Sequence, residues 1–306
     1  MRVEIVKLLK KEGKLSSKTI DEINQIDIHD FSSLVQEIGK EETEYISASE
    51  ISKDLNTKYI GKELFVFNEV SSTNTLARFL SMNGIADGSV IISEKQTNAR
   101  GRSGKSWESP LGGVWLSIVL NPHVDYAKLP LITLATGVAV AKTLEKMGVE
   151  NPEIKWPNDI MINGKKVCGI LTEAITNFNT IEHVIIGVGI DANLSIEDFP
   201  EELQNTTTTL EKEIGRVNEN LLIKTFLEEL EKISELFNSK RYEDILKEWR
   251  KRSYTIGKVV EVKKPFNRSY DAYAVGISKE GALIVEKTDG TLEKVISGEC
   301  LIKKLN

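Results

Sequence analysis

The sequence of 306 residues predicts an α/β domain that is preceded by a small helical region and followed by a small β-barrel. Three observations support this prediction. Apolar residues recur at helical spacing in residues 1–60, whereas residues 61–252 alternate apolar strand-like runs with amphipathic stretches. Residues 253–306 contain only short strand-like runs that are separated by turn residues, which is typical of a small barrel.

The composition excludes several classes of protein. Hydrophobic residues make up 40% and charged residues 28%, as in ordinary globular proteins, and the net charge of −6 gives no general attraction for nucleic acid or an acidic membrane. Cys168 and Cys300 lie far apart and the three histidines are scattered, which argues for a reducing compartment and against a zinc site. Without a signal peptide or an apolar run of transmembrane length, we expect a cytoplasmic protein with no membrane partner.

The N-terminal region is predicted to form three short helices, the third over Asp30–Ile38, before a capped helix at Ile46–Leu55. The third helix of such a triplet often enters the major groove of DNA, where phosphate contacts require cations. Between Thr19 and Tyr45 the only Lys or Arg is Lys40, against eight acidic residues. We therefore expect that this region does not bind DNA.

The middle region opens with a strand, a capped helix and two further strands, and a long apolar helix follows. The Ser-Thr pair at positions 72 and 73 caps the first helix, so its free N–H groups face whatever lies at the end of the first strand. The predicted elements are the strands Leu64–Val70, Val90–Ile92 and Val114–Leu120, the helix between Ser72 and Gly84, and the helix Leu129–Gly148.

A hairpin and a central strand come next. Asn163-Gly164 between apolar runs is the strongest short hairpin pattern, so Asp159–Ile162 and Lys165–Thr172 should pair antiparallel. The run Val184–Ile190 shows no alternation, as expected of a strand covered on both faces, and its two glycines keep one face open for close approach. The remaining predictions are the helices Leu221–Phe237 and Tyr242–Arg250 and the barrel strands Val259–Val262, Ala272–Ile277, Ala282–Val285 and Leu292–Ile296.

The most informative stretch is the loop between the second and third strands. It interleaves three cations, Arg100, Arg102 and Lys105, with two glycines and ends at Trp107. Arginine presents a planar fork of donors to phosphate or carboxylate, and glycine lets the backbone approach a ligand. The loop therefore predicts a site that encloses an anion such as a nucleotide phosphate, with a solvated basic loop as the alternative.

Part of this loop also matches a P-loop, if Ala99 replaces the first glycine of that motif, and Val184–Asp191 resembles the strand that often accompanies one. A P-loop must open a helix, and the residues after Lys105, Ser-Trp-Glu-Ser-Pro-Leu-Gly-Gly, disfavour a helix there. We therefore do not expect a P-loop. Lys155, beside Trp156 and Pro157 at the entry to the hairpin, is predicted to point into the anion site.

Four motifs occur in an order and spacing that resembles the biotin–protein ligases, a family in which some bacterial members also repress the biotin operon. The resemblance covers about residues 60–306. It implies a catalytic domain with a mixed sheet, related to class II aminoacyl-tRNA synthetases, followed by an SH3-like barrel. The motifs are Ser72-Thr73-Asn74, Arg100-Gly101-Arg102 with Gly104 and Trp107, Lys155-Trp156-Pro157-Asn158-Asp159, and Asn163-Gly164-Lys165-Lys166 with Gly169-Ile170-Leu171.

The resemblance also implies the chemistry. Biotin and MgATP give biotinyl-5′-adenylate and pyrophosphate, and a lysine of a biotin carboxyl carrier domain, in a biotin-dependent carboxylase, then attacks the mixed anhydride. Fixed cations near the reacting phosphorus would supply the catalysis, and no covalent enzyme nucleophile is needed. The sequence does not give the oligomeric state, so a homodimer is left open.

The resemblance assigns roles to individual residues, with Lys155, Arg100 and Arg102 as the catalytic cations and no protein ligand for a metal. The implied biotin-binding residues are Ser72, Thr73, Asn74, Gln96, Arg100, Gly101, Arg102 and Lys155. The implied ATP- or adenylate-binding residues are Arg100, Arg102, Lys105, Trp107, Asn158, Lys166, Asp191 and Asn193.

Three residues depart from the family pattern. Ala99 stands where glycine is usual, which restricts the loop, and Lys105 stands where Arg is common, which replaces a fork of donors by a point charge. Asp191 stands where family members often have an Asn that touches adenine. Because a carboxylate accepts hydrogen bonds but cannot donate them, that contact is in question, and Asn193 could substitute for it.

Two alternatives accompany the ligase prediction. A lipoate–protein ligase shares the fold and the adenylation chemistry, but the different Arg-Arg, Gly-rich motif of that family is not found in this sequence. The other alternative is a bifunctional ligase that is also a DNA-binding, biotin-responsive repressor. The acidic third helix argues against this added role.

Overall fold

The computed structural model of the chain describes residues 43–122, 126–177, 180–264, 268–296 and 298–303. The three helices predicted before residue 43 lie outside the described residues. The capped helix predicted next is confirmed as α1, Ala48–Ser52, where the Ser47 hydroxyl accepts a hydrogen bond from the Glu50 amide at 3.2 Å. Ile46 and Ile51 are fully buried in the main core, so this helix is part of the packed domain.

Within the described residues, a mixed sheet of seven strands has the order β1-β2-β3-β7-β6-β5-β4. β1 and β2 pair in parallel, and the other neighbours are antiparallel. β7 is the central strand, as predicted, and the β5–β6 hairpin turns at Asn163 and Gly164, which both have positive φ. The strands are β1 Leu64–Val70, β2 Val90–Gln96, β3 Val114–Leu120, β4 Glu153–Lys155, β5 Asp159–Ile162, β6 Lys165–Asn177 and β7 Thr180–Ile190.

Side-chain alternation along the strands gives the sheet two cores, one on each face. On β1, Phe65 and Phe67 belong to the core beneath the helix Thr73–Ser81 (α2), whereas Val66 between them belongs to the main core on the opposite face. The long helices cover that main core, and the sheet is therefore buried on both sides. The helices are α2 Thr73–Ser81, α3 Leu129–Lys146, α4 Glu201–Gln204, α5 Leu210–Ile214, α6 Glu219–Asn238 and α7 Tyr242–Lys251.

One segment of the described chain, Tyr126–Lys146, is long and apolar enough to cross a membrane by length and composition alone. In this fold 67% of its most apolar window is buried. Leu131, Leu134 and Val138 of this helix belong to the main core against the sheet. We therefore assign it as a core helix, since a helix that is apolar on all sides is expected to be enclosed by other elements.

A second, antiparallel sheet forms the C-terminal unit, with the order β11-β10-β9-β8-β12 in the described part of the chain. Four of these strands were predicted. The last was missed because it is four residues long and pairs with β8, far earlier in the sequence. The strands are β8 Val259–Lys264, β9 Arg268–Ile277, β10 Leu283–Lys287, β11 Leu292–Val295 and β12 Glu299–Ile302.

The C-terminal sheet packs directly on the main domain. The indole of Trp156 is 2% exposed and donates its N–H to the carbonyl of Gly281 at 3.1 Å. One connected hydrophobic core contains Val260 and Leu283 of this sheet together with residues of the main sheet. The division of the chain at residues 60 and 252 stays a prediction.

Candidate active site

A buried polar network lies where β1 leads into α2. The Ser72 side chain caps α2, and both the amide and the hydroxyl of Thr73 donate to Gln96 Oε1, at 2.8 and 3.1 Å. Ser117, in the middle of β3, brings its Oγ within 2.7 Å of Thr73 Oγ1 and 2.6 Å of Asn74 Oδ1. The structure thus brings together the predicted residues 72–74 and Gln96, and adds Ser117 to them.

A glycine on the central strand makes room for this network. A Cβ atom on Gly187 would lie 2.2 Å from Asn74 Oδ1, which is closer than van der Waals contact allows. The amide of Asn74 is held on its other side, because its Nδ2 donates to Glu173 Oε2 at 2.7 Å. The absence of a side chain at Gly187 therefore leaves the space that Asn74 occupies. This agrees with the prediction that the glycines of this strand keep one face open for close approach.

Trp107 lies on a pair of glycines. Gly169 on β6 and Gly189 on β7 face each other in register, and Cβ atoms there would lie 2.9 and 2.5 Å from the indole. The Lys166 ammonium lies 4.7 Å from the centroid of the same ring, and it also forms an ion pair with Asp159 at 2.7 Å. The indole N–H is buried and has no hydrogen-bond partner among the described residues.

The cationic loop does not form a P-loop. Gly101 donates its amide to the Lys105 carbonyl at 2.7 Å, and Arg102–Gly104 makes a single short turn with Ser103 at φ 57°. No helix begins within residues 105–113, all of which the structure describes. The absence of the helix that a P-loop requires agrees with the sequence-based expectation.

Arg102 joins this loop to two other parts of the fold. Its guanidinium donates to Asn158 Oδ1 at 3.0 Å and to the Gly298 carbonyl of the C-terminal sheet at 3.2 Å. Arg100 is exposed and donates to Thr75 Oγ1 at 3.2 Å. The loop and the Lys-Trp-Pro-Asn segment, which lie far apart in the sequence, therefore meet at one site.

Lys155 ends β4, directly opposite Asp159 on β5. It is half-buried, and its ammonium makes no hydrogen bond or ion pair with any part of the chain that the structure describes. The nearby cation Lys166 is already paired with Asp159. Of these two lysines, Lys155 is thus the one whose charge is not neutralised by a described protein group.

Asp191 and Asn193, which follow β7, are in different environments. Asn193 uses its amide within the protein, since it donates to the Val217 carbonyl and to Glu219 Oε1 and accepts from the Val217 amide. Asp191 is 1% exposed, and burial raises the pKa of its carboxyl well above the usual range, while the ammonium of Lys166 lowers it in part. The structure therefore does not favour Asn193 as the substitute for Asp191 that the sequence suggested.

Comparisons with known proteins identify the family. Residues 66–191 match the biotin/lipoate A/B protein ligase family, and residues 255–303 match the biotin protein ligase C terminal domain. The bifunctional ligase/repressor BirA of Bacillus subtilis is 35% identical over 269 residues, which are 87% of this chain and 80% of that protein. The chain belongs to the biotin protein ligase family.

Two further relatives agree with this membership. The biotin–[acetyl-CoA-carboxylase] ligase of Mycobacterium tuberculosis is 31% identical over 74% of this chain and 84% of that protein. The biotin protein ligase of Aquifex aeolicus in complex with biotin and ATP has a TM-score of 0.69 at 26% identity, covering 80% of this chain and 100% of that one. These comparisons confirm three predictions from the sequence: the resemblance to the biotin–protein ligases, the α/β fold, and the activity of an ATP-dependent biotin–protein ligase.

This biotin protein ligase has two polar residues near the motifs that the sequence analysis did not single out. Ser117 is the only polar residue of the apolar run Val114–Leu120, so its position was visible in the sequence. Glu173 had no comparable pattern, because its relation to Asn74 depends on the pairing of β6 with β7. A polar residue inside a buried strand is expected to have a specific partner.

Proposed function

We propose that this chain activates biotin with MgATP and transfers it to a lysine of a biotin carboxyl carrier domain. The observation that carries the proposal is the hydrogen bond between Arg102 and Asn158, at 3.0 Å. It holds the cationic loop against the segment that bears Lys155. Cations from both motifs would then face one space, as a reaction between two anions requires.

The buried network around Asn74 suits the ureido group of biotin. That group presents two N–H donors and one carbonyl acceptor, and the network offers hydroxyl groups and amide oxygens within a few residues of one another. Ser72, Thr73 and Asn74 would bind this end of biotin, with Gln96 beside them through its contact to Thr73. The valeryl chain would then lead the carboxylate toward the cations of the loop.

In the first step, a biotin carboxylate oxygen forms a bond to the α-phosphorus of ATP, and pyrophosphate leaves with the electron pair of the broken P–O bond. Lys155, with Arg100 and Arg102, would hold the two anions together and stabilise the charge at phosphorus. In the second step, the neutral amine of the carrier lysine attacks the acyl carbon. The C–O bond to AMP breaks, and the amine proton passes to solvent.

ATP would bind beside Trp107, with Lys105, Asn158 and Lys166 near its phosphates and Asp191 near its base. The described residues include no group of three or more His, Cys, Asp or Glu side chains that could hold a metal ion. Mg²⁺ is usually held by substrate phosphates and few carboxylates, so we propose that it arrives with ATP. When bound, it would neutralise part of the phosphate charge.

The carrier partner is proposed from the same chemistry and from the relative in Mycobacterium tuberculosis whose name specifies acetyl-CoA carboxylase. The lysine of the carrier would have to reach the acyl carbon of the adenylate at this site. A homodimer stays open, and a cytoplasmic location stays a prediction from the sequence.

Pyrophosphate release from ATP tests the proposal directly. We expect release to depend on biotin and to be at background with lipoate, octanoate and acetate. Transfer to a purified carrier domain, detected by mass spectrometry, should follow the same dependence. Release with lipoate in place of biotin would support the lipoate–protein ligase alternative, and release with no acid at all would contradict both.

Arg102→Ala should release activated biotin into solution. The change removes the hydrogen bonds from the loop to Asn158 and to the Gly298 carbonyl, so the loop no longer shields the anhydride. Hydrogen bonds from a charged group contribute about 1.5–3 kcal/mol each, so adenylate should dissociate about tenfold faster or more. Free biotinyl-adenylate after rapid filtration measures this. Arg216→Ala, at an exposed position outside the site, is the control, and equal release from both variants would contradict the role.

A second role in DNA binding is the alternative that the relatives raise, because the Bacillus subtilis protein is named a bifunctional ligase/repressor. The acidic stretch around Lys40 is the argument against it here. We expect no shift of a DNA fragment from upstream of biotin genes at low salt, with and without biotin and ATP. A sequence-specific shift that requires both would establish the second role.

A further inference from the structure

Among the residues that the structure describes, two buried polar atoms near the motifs have no hydrogen-bond partner. They are Asp191 Oδ1 and the indole N–H of Trp107, and neither makes a hydrogen bond with any described residue. Both lie at the same end of the central strand, since Gly189 faces the Trp107 nitrogen and Asp191 follows two positions later. Buried polar groups normally have a hydrogen-bond partner. Two such atoms without a partner beside the cationic loop therefore indicate that a ligand forms these hydrogen bonds.

The backbone keeps the Asp191 side chain in this buried position. Its amide donates to the Val167 carbonyl at 2.9 Å, and its own carbonyl accepts from the Leu210 amide at 2.9 Å. These bonds hold the backbone of Asp191 in place, and its side chain is buried there. An ionised carboxylate in such a place is costly unless a cation pairs with it.

The charged and titratable groups around Asp191 do not provide that cation. Lys166 on β6 is the nearest positive charge, but its ammonium pairs with Asp159 on β5 at 2.7 Å and faces the Trp107 ring. Cys168, also on β6, is a buried thiol whose pKa burial raises, so it stays neutral and adds no charge. Burial likewise raises the pKa of Asp191, in agreement with a carboxyl group that keeps its proton.

We propose that Asp191 recognises the adenine of ATP with both halves of a protonated carboxyl group. Its O–H donates to a ring nitrogen, and its C=O accepts from the exocyclic amino group. Adenine presents a nitrogen acceptor beside an amino donor on its edge, which is the complement of this group. A protonated carboxyl offers one donor and one acceptor, as the side-chain amide of Asn does, and so removes the objection that a carboxylate cannot donate.

The proposal rests on the proposed function, because it takes ATP as the substrate. It makes nucleotide binding depend on pH in a defined direction. As the pH rises through the raised pKa of Asp191, the carboxyl loses its donor and places a negative charge against the lone pair of the ring nitrogen. The KM for ATP of the wild type should then rise about tenfold per pH unit above that pKa.

Asp191→Asn is the matched variant, because its amide also donates and accepts but does not titrate. Its KM for ATP should change by less than about twofold over the pH range in which that of the wild type rises. The KM for biotin, measured in the same assays, shows whether a change with pH is specific to ATP. Asp191→Leu, which has neither donor nor acceptor, should have a KM for ATP about tenfold or more above that of Asp191→Asn at every pH.

Two measurements do not depend on turnover. The infrared difference between wild type and Asp191→Asn should contain the C=O band of a protonated carboxyl at neutral pH, which disappears at high pH. The folded state of the wild type binds this proton more tightly than the unfolded state does, so its stability falls as the pH rises from the unfolded pKa to the folded pKa and levels off above it. The melting temperature of Asp191→Asn relative to that of the wild type should therefore rise with pH until the folded pKa is passed.

The two possible failures are distinguishable. If the KM for ATP rises in parallel in wild type and Asp191→Asn, or the carboxyl band is absent at neutral pH, the role of Asp191 is wrong although the ligase function stands. If neither protein releases pyrophosphate in response to biotin, the proposed function itself is wrong. Asp191→Asn keeps the test valid even if Asp191→Leu fails to fold.

Discussion

Lys155→Ala is expected to slow biotinyl-adenylate formation by about 10²- to 10³-fold, because it removes a preorganised cation from the reacting centre. Lys155 makes no ion pair with a described residue and ends the short strand β4 beside the cationic loop. Its charge is thus available to the two anions that react. Single-turnover formation of adenylate, with biotin and ATP both saturating, isolates this step from product release.

The fold should be unaffected by this change, because Lys155 is half-buried and bonds to no described side chain. An unchanged melting temperature would establish that point. Lys58→Ala, at a lysine whose side chain is 80% exposed, provides the control for loss of one positive charge. A rate for Lys155→Ala within a few-fold of this control would mean that Lys155 has no part in the chemistry.

Gly187→Ala is expected to raise the KM for biotin by about 10- to 100-fold. The added methyl group would lie 2.2 Å from Asn74 Oδ1, and Asn74 is short, buried and hydrogen-bonded on both sides, so it has no free space to enter. Overpacking of this kind typically costs about 1–3 kcal/mol, and a displaced contact residue impairs binding even when the fold survives. The KM for ATP should change less.

Gly276→Ala is the matched control for Gly187→Ala. Gly276 lies in β9 of the C-terminal sheet, and a Cβ atom there would meet nothing within 4 Å. This variant should behave as the wild type in both KM values. If Gly187→Ala raises the two KM values equally, or neither, the assignment of Asn74 to the biotin site would be contradicted.

Local patterns in the sequence were sufficient for most of the secondary structure and for the choice of motifs. Asn163-Gly164 determines the hairpin because both residues accept positive φ, and Ser72 determines the start of α2 because it caps free amides. The loop that bears Arg102 is distinguished by composition alone. Such features depend on interactions between residues close in the chain, which a sequence displays directly.

The tertiary structure decided which of these groups are free to act. The bond from Arg102 to Gly298 spans 196 positions, and the contact of Gly187 with Asn74 depends on the position of α2 above the sheet. Asp191 is an ordinary acidic residue in the sequence, but in the fold its carboxyl group is buried and its Oδ1 has no hydrogen-bond partner among the described residues. Burial and long-range contacts are properties of packing, and the chemistry of Asp191 follows from them.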